Sequence, residues 1–408
     1  MQVTIERLGH QGDGIGHSPD FSGPVFVPRV LPGEVVEGDL VGDRIAKPRI
    51  VTPSPDRVRP PCPHYKSCGG CALQHASDTF VAGWKTQVVR TALAARGIEA
   101  QPDAIVTSPA RARRRAVFSA RRTKGGVLIG FHAPKSDIIT SIPACHLLHP
   151  DLLAAMPALE ALVLEGASRK SMLRLNVALS DGGADVAVTG GKPPDPRLET
   201  SLATLAGQHG LARLSWEGET IALVEPPAQI FGRARVTPPP GAFLQATKEG
   251  EAALLDGVRA SVAGAKKVVD LFAGSGTFTL PLAETAEVHA VEDAAGMLAA
   301  LDQGWRRAQG LKLVTTEPRD LFRRPLLPDE LKPFDAVVID PPRAGAEAQF
   351  AELASAEVSR IAAVSCNPVT FARDAALLIA GGFRLDRLTV VDQFRWSTHV
   401  ELVAGFSR

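Results

Sequence analysis

Lys267-Val268-Val269-Asp270-Leu271-Phe272-Ala273-Gly274-Ser275-Gly276-Thr277-Phe278 is an apolar run with one acid that passes into a glycine loop. A short apolar run bounded by turn residues reads as a buried strand. The two glycines let the backbone come close to a ligand before the next helix begins. Val288-His289-Ala290-Val291-Glu292 is a second strand ending in an acid, Phe334 to Asp340 a third, and Ile361 to Cys366 a fourth. Strands alternating with helical stretches from residue 241 onward predict a parallel, doubly wound α/β sheet with ligands at the C-terminal edge of its strands.

The loop narrows the ligand. The third glycine of a dinucleotide fingerprint would fall at 279, where Thr279 stands, which argues against a pyrophosphate cradle. Glu292 lies 18 residues past Gly274, where an acid can accept two hydrogen bonds from a ribose diol. An adenosyl group without phosphates, as in S-adenosylmethionine, fits both facts. The loop alone also fits an ordinary strand-to-helix turn.

Upstream, residues 1–54 alternate short strands, such as Val3 to Leu8 and Val25 to Val27, with glycine turns, the pattern of a small β-barrel. Pro53, Pro55, Pro60 and Pro61 mark a linker. Residues 55–240 follow as a β-rich middle domain closed by Pro238-Pro239-Pro240, and 241–408 form the α/β domain. Within the middle stretch, Asp78 to Arg96 carries Val81, Trp84, Val88, Leu93 and Ala94 at near-helical spacing. Residues 78–107 are thus a segment that can pack on the α/β domain.

The chain has 408 residues and a formal net charge of +1, so no global field draws it to nucleic acid. Basic surface must be local. Arg111, Arg113, Arg114, Arg115, Arg121, Arg122 and Lys124 form a cluster that can neutralise phosphates. Phe118 among them is either a base-stacking ring or ordinary core. The N-terminus lacks the basic-then-apolar pattern of a signal peptide. No apolar segment approaches the roughly 20 residues that span a bilayer. The expectation is a cytoplasmic protein without a membrane partner, whose thiols stay reduced.

Five cysteines divide into four and one. Cys62, Cys68 and Cys71, spaced by five and two residues, precede a distant Cys145. Three close thiols and one remote thiol suit four-cysteine ligation, and the spacing admits both zinc and a [4Fe–4S] cluster. His64, His75 and His146 lie nearby as supports or surface groups. Cys366, in Ser365-Cys366-Asn367-Pro368, ends a strand beside the cofactor loop. A cysteine there is either a small buried hydrophobe or a nucleophile. A thiolate adding to C6 of uracil would make C5 nucleophilic toward a methyl donor. A base must then remove the C5 proton, and Glu401 in Thr398-His399-Val400-Glu401 is the candidate.

Four motifs in order carry a resemblance: Asp270 to Phe278 with Leu280-Pro281-Leu282-Ala283, then Asp340-Pro341-Pro342-Arg343. Ser365 to Pro368 with Phe371-Ala372-Arg373-Asp374 follows, and Asp392-Gln393-Phe394 with His399-Val400-Glu401 closes the set. Over nearly its whole length the chain resembles the RNA uracil-C5 methyltransferase family, in particular its iron–sulfur-containing ribosomal RNA branch. The resemblance implies a Rossmann-like class I methyltransferase domain, an N-terminal TRAM/OB-like barrel and a central β-rich iron–sulfur domain. It implies Cys366 as nucleophile and Glu401 as proton acceptor. It places S-adenosylmethionine against Gln245, Phe272, Gly274, Gly276, Thr277, Glu292 and Asp340. It also implies a [4Fe–4S] cluster on Cys62, Cys68, Cys71 and Cys145, and a monomer acting on 23S ribosomal RNA. Thr247 stands where the family usually has Asn. Transfer RNA as substrate, a noncatalytic RNA-binding module and a cytosine-C5 enzyme are the competing readings.

Overall fold

The computed structural model describes all residues, 1–408. Its largest sheet is built on the quoted run. Lys267–Leu271 is a strand with four of its five residues buried, as a parallel strand covered on both faces requires. The sheet has eight strands in the order Val314–Pro318, Glu287–Glu292, Lys267–Leu271, Ala336–Ile339, Arg360–Ser365, Glu401–Ser407, Arg384–Asp392 and Ala104–Thr107. All its strand pairs are parallel except the two made by Glu401–Ser407. Helices cover both faces and enclose two large apolar cores.

Two features of this order decide where chemistry can occur. The chain runs outward in opposite directions from Lys267–Leu271 and Ala336–Ile339, so a crevice opens beyond their C-terminal ends. Phe272 and Asp340 stand there. The antiparallel strand Glu401–Ser407 then enters beside Arg360–Ser365, with Ser365 opposite Leu402. An antiparallel strand begins where its parallel neighbour ends, so Glu401 falls beside Cys366.

Two further sheets precede this one. Gln2–Leu8, Gly14–Ser18, Phe21–Val27, Val35–Glu37 and Arg49–Thr52 form a five-stranded antiparallel sheet around Val3, Ile5, Val25, Val27, Val30, Val36 and Ile45. A seven-stranded sheet follows, with Arg115–Thr123 and Leu173–Ser180 near its centre. The helices Met156–Gly166 and Pro196–Gln208 pack in its core.

Three pieces of the 55–240 stretch pack with the α/β sheet instead. Ala104–Thr107 is its edge strand, paired in parallel with Arg384–Asp392. The helix Asp78–Ala94 sends Val89 and Leu93 into the same core. The hairpin Gln229–Phe231 and Ala234–Val236 buries Phe231, Ala234 and Val236 among Leu254, Leu298 and Leu301. Their side chains fit the apolar face of that layer, whatever their place in the sequence.

Candidate active site and cysteine cluster

The turn after Lys267–Leu271 has an unusual backbone. Phe272 sits at φ 62°, a left-handed conformation uncommon for a residue with a side chain and often found at functional sites. Its ring meets that of Phe322 at 5.4 Å. Gly276, at φ 94°, has no room for a Cβ, which would meet Leu280 and Leu301 at 2.9 Å. A Cβ at Gly274 would instead enter a space approached only by Met297 Sδ at 3.9 Å. That is the open cradle a ligand needs. Glu292 is oriented from behind, its two oxygens accepting from the N–H groups of Gly274 (3.1 Å) and Ala294 (3.0 Å). Thr277 lies half-buried in the same turn. Thr279, where a dinucleotide site would have glycine, donates its hydroxyl to Asp270 Oδ2 at 2.6 Å. Burial pushes the Asp270 carboxyl up to about 7.

Around the crevice, Cys366, Asp340 and Glu401 lie close enough to perturb one another's charge. Burial, then the charges of Glu401 and Asp340, push the Cys366 thiol above its ordinary value. Burial, then Glu401 and Asp270, push the Asp340 carboxyl well above the carboxylate range. Burial raises Glu401 to about 7, against Gln393, which donates a hydrogen bond to it, and Arg115, whose positive charge favours the carboxylate. The residue is only 3% exposed, so it is no edge-strand surface group. A carboxylic acid tuned near neutrality can take up and release a proton at working pH.

Cys366 is held by its neighbours. Asn367 accepts from the Val369 N–H (3.1 Å) and caps the helix Pro368–Ala380. Its amide donates to the Arg343 carbonyl at 3.0 Å, tying the cysteine loop to the Asp340–Arg343 loop. On its outer side Cys366 lines a cleft of about 1080 Å³, shared with Arg7 of the N-terminal sheet, His10 of the turn after it, Trp84 of the helix Asp78–Ala94, Arg343 and His399.

Gln245 is buried, and the structure joins it to Glu401 through Gln393. Its side-chain oxygen accepts from Gln393 Nε2 at 2.6 Å, and the same Gln393 donates to Glu401. Gln393 Oε1 in turn accepts from the Ala246 N–H at 2.7 Å. Gln393 stood in a recognised motif but was given no role on sequence, and the network assigns it one as the link between Gln245 and Glu401. Thr247 caps the helix Lys248–Ser261 through the Gly250 N–H at 2.9 Å.

The basic cluster separates into different fates. Phe118 is fully buried and stacked on Phe131 at 5.4 Å, so it is core and not a base-stacking ring. An inward-facing position on a central strand leaves it no access to solvent. Arg114 is buried too, paired with Glu251 at 2.5 Å and donating to the Gln245 carbonyl at 3.1 Å. Arg115 lies over the exposed ring of Phe243 at 4.6 Å. Burial lowers its guanidinium to about 10, and Glu401 is the charge that opposes this. Arg111, Arg121 and Lys124 remain exposed.

Cys62, Cys68, Cys71 and Cys145 line one small, mostly apolar cavity with Phe131, Ile142 and Leu147. Burial, with the other three thiols adding to it, pushes Cys71 up to about 12. Burial likewise raises Cys68 and Cys145. Backbone N–H groups point at two of the sulfurs, Gly70 to Cys68 and Leu147 to Cys145, each at 3.4 Å. No group of three His, Cys, Asp or Glu side chains is placed to hold a single metal ion. His64 accepts from the Ala144 N–H at 3.3 Å. His75 is buried between the Tyr65 hydroxyl (2.6 Å) and the Val30 carbonyl (3.3 Å). Burial holds it down at about 4, so it is neutral.

Residues 308–406, which contain Asp340, Cys366 and Glu401, match the family model described as tRNA (Uracil-5-)-methyltransferase. Residues 1–37 match that of the TRAM domain. A Brucella suis protein named as an uncharacterized RNA methyltransferase is 45% identical, over 100% of this chain and 98% of its own. The 23S rRNA (uracil(1939)-C(5))-methyltransferase RlmD of Pectobacterium atrosepticum is 30% identical over 100% of this chain and 93% of its own. The crystal structure of the Pyrococcus abyssi tRNA (uracil-54, C5)-methyltransferase with S-adenosyl-L-homocysteine shares the fold. It covers 100% of this chain and 99% of that one, with a TM-score of 0.75 at 21% identity. No helix is long and apolar enough to cross a membrane.

Proposed function

Because the chain belongs to the family of S-adenosylmethionine-dependent RNA uracil-C5 methyltransferases, we propose that it methylates a uridine of 23S ribosomal RNA in the cytoplasm. The reaction runs through a covalent bond from Cys366 to C6. The observation that carries this reading is the cross-strand placement of Cys366 and Glu401 at the mouth of the crevice, with the cysteine open to the large cleft.

In this reading the target base is turned out of its RNA into the cleft. Cys366 loses its proton to water and adds to C6, and the C5=C6 pair moves to make an enolate. C5 attacks the methyl carbon of S-adenosylmethionine, whose sulfur keeps the bonding pair and leaves as the thioether product. Glu401 takes the C5 proton. The freed pair restores the C5=C6 bond, the C6–S bond breaks, and the Cys366 thiolate departs. Glu292 holds the ribose of the donor, while Phe272, Gly274, Gly276, Thr277 and Asp340 shape its crevice. Gln245 acts from the side of the base through Gln393. The TRAM-like sheet and the exposed arginines grip the RNA backbone.

For the four remaining cysteines we propose a [4Fe–4S] cluster, which would cross-link the 62–71 segment to Cys145. The donor set supports it: four thiols around one apolar cavity, with N–H groups aimed at sulfurs. Crowded, buried thiols resist joint ionisation unless a cation balances them. Protein purified without oxygen should be brown and hold about four irons per chain. Cys71→Ser should lose both. Stoichiometric zinc in place of iron would overturn the assignment.

The favoured substrate is tested by mapping 5-methyluridine in RNA from a deletion strain. One 23S ribosomal position should lose the modification while transfer RNA keeps it. Loss from transfer RNA alone would favour the competing substrate.

A further inference from the structure

The helix Asp78–Ala94 buries one face, made of Val81, Lys85, Val89 and Leu93. A lysine on an apolar face is costly unless each of its protons finds an acceptor. Lys85, with none of its side chain exposed, finds three: Asp392 Oδ1 at 2.5 Å, the His399 carbonyl at 2.8 Å and the Phe394 carbonyl at 3.2 Å. Three acceptors match the three N–H groups of an ammonium, which has no lone pair to offer.

Asp392 ends the strand Arg384–Asp392, and Phe394 and His399 lie in the loop that joins it to Glu401–Ser407. Gln393, which donates to Glu401, lies between Asp392 and Phe394. Glu401 itself lies two residues beyond His399. One ammonium therefore ties together both ends of the loop whose ends carry the proton acceptor and its partner. The apex is held separately, by the Ala72 and Leu73 N–H groups on the Trp396 carbonyl at 2.8 and 2.9 Å. A buried ion pair is a poor source of net stability compared with apolar residues of the same size. Its use here fits a need for position.

We propose that Lys85 is a positioning residue for proton removal, fixing the 392–401 loop so that Glu401 meets C5 of the base held by Cys366. This rests on the reading of Glu401 as proton acceptor. Lys85 touches neither substrate nor donor and acts through Gln393 and Glu401. Its loss should leave addition and methyl transfer running while the last step, proton removal with release of Cys366, slows. The methylated adduct would then accumulate.

The test uses the full chain, S-adenosylmethionine and unmodified 23S ribosomal RNA transcribed in vitro. Adducts are followed on denaturing gels, with melting temperature measured in parallel. Three variants are compared: Glu401→Gln, Lys85→Met and Lys85→Met/Asp392→Asn. The double variant removes the stranded buried carboxylate that would unfold the single one. Glu401→Gln should accumulate adduct. In both Lys85 variants adduct should form within about threefold of the native rate and resolve at least roughly tenfold more slowly, as small misplacements of catalytic groups do. The double variant should melt closer to the native protein than Lys85→Met yet resolve adduct equally slowly. Native resolution in the double variant, or loss of adduct formation in it, would overturn the positioning role while Glu401→Gln still supports the base. If Glu401→Gln turns over like the native protein, the reading of Glu401 fails and this inference falls with it.

Discussion

Replacing Cys366 with alanine is expected to lower methyl transfer by at least about 10⁴-fold and to abolish every covalent complex with RNA. The other four thiols line a separate cavity, while Cys366 alone among the cysteines lines the large cleft. In the proposed reaction no other thiol can then add to C6, and uracil C5 is too weak a nucleophile to react without that addition. The side chain is half-buried and in no disulfide. The variant should therefore fold and bind S-adenosylmethionine as the native protein does. Single-turnover assays with radiolabelled donor, together with calorimetric donor binding, check both halves. Methyl transfer surviving within tenfold of native would show that C5 is activated in some other way.

Glu401→Gln is expected to act later in the reaction and to lower turnover by about 10²- to 10⁴-fold, the usual contribution of a positioned base. The adduct should persist because the C5 proton has no acceptor. The pH dependence has a definite sign. Burial lifts the Glu401 carboxyl to about 7 from an ordinary 4.5, and only the ionised form accepts a proton. Resolution of the adduct should rise with pH up to about 7 and level off above it, and Glu401→Gln should lose that inflection. Stability moves the other way. A carboxyl raised by folding contributes stability that is fully present below 4.5 and is lost as pH rises through about 7. The variant should show a flatter melting-temperature profile over that range. An unchanged rate profile in Glu401→Gln would assign the proton to another group.

The parts of this molecule that were legible in the sequence are those set by local pattern. The strand before the glycine loop, the acid ending the next strand and the cysteine ending the fourth are each announced by a few neighbouring residues. They converge because a doubly wound sheet delivers all its strand ends to one edge. Long-range pairing left no such trace. Nothing in Ala104–Thr107 says that it will pair with Arg384–Asp392, and the hairpin ending at Val236 packs forward onto a layer the sequence had not yet reached.

Side-chain fate was harder to read where residue type misleads. Lysine is nearly always solvated, so Lys85 drew no attention. Yet it lies four residues from both Val81 and Val89 on the buried face of its helix, and that spacing was the available signal. Arg114 stood in a cluster read as a surface for RNA, but Glu251 and the Gln245 carbonyl hold it inward; of the two readings open for Phe118, strand alternation selects core. Gln393 stood in a recognised motif without a function. Only the fold shows it between Gln245 and Glu401.

The central claim, a covalent bond from Cys366 to the target base, is open to one direct measurement. Target RNA carrying 5-fluorouridine offers no C5 proton to remove, so the reaction must stop at the methylated adduct. Incubated with S-adenosylmethionine, the protein should form a denaturation-resistant complex whose RNA-linked peptide, by mass spectrometry, contains Cys366. No complex, or a link through any other residue, would contradict the account.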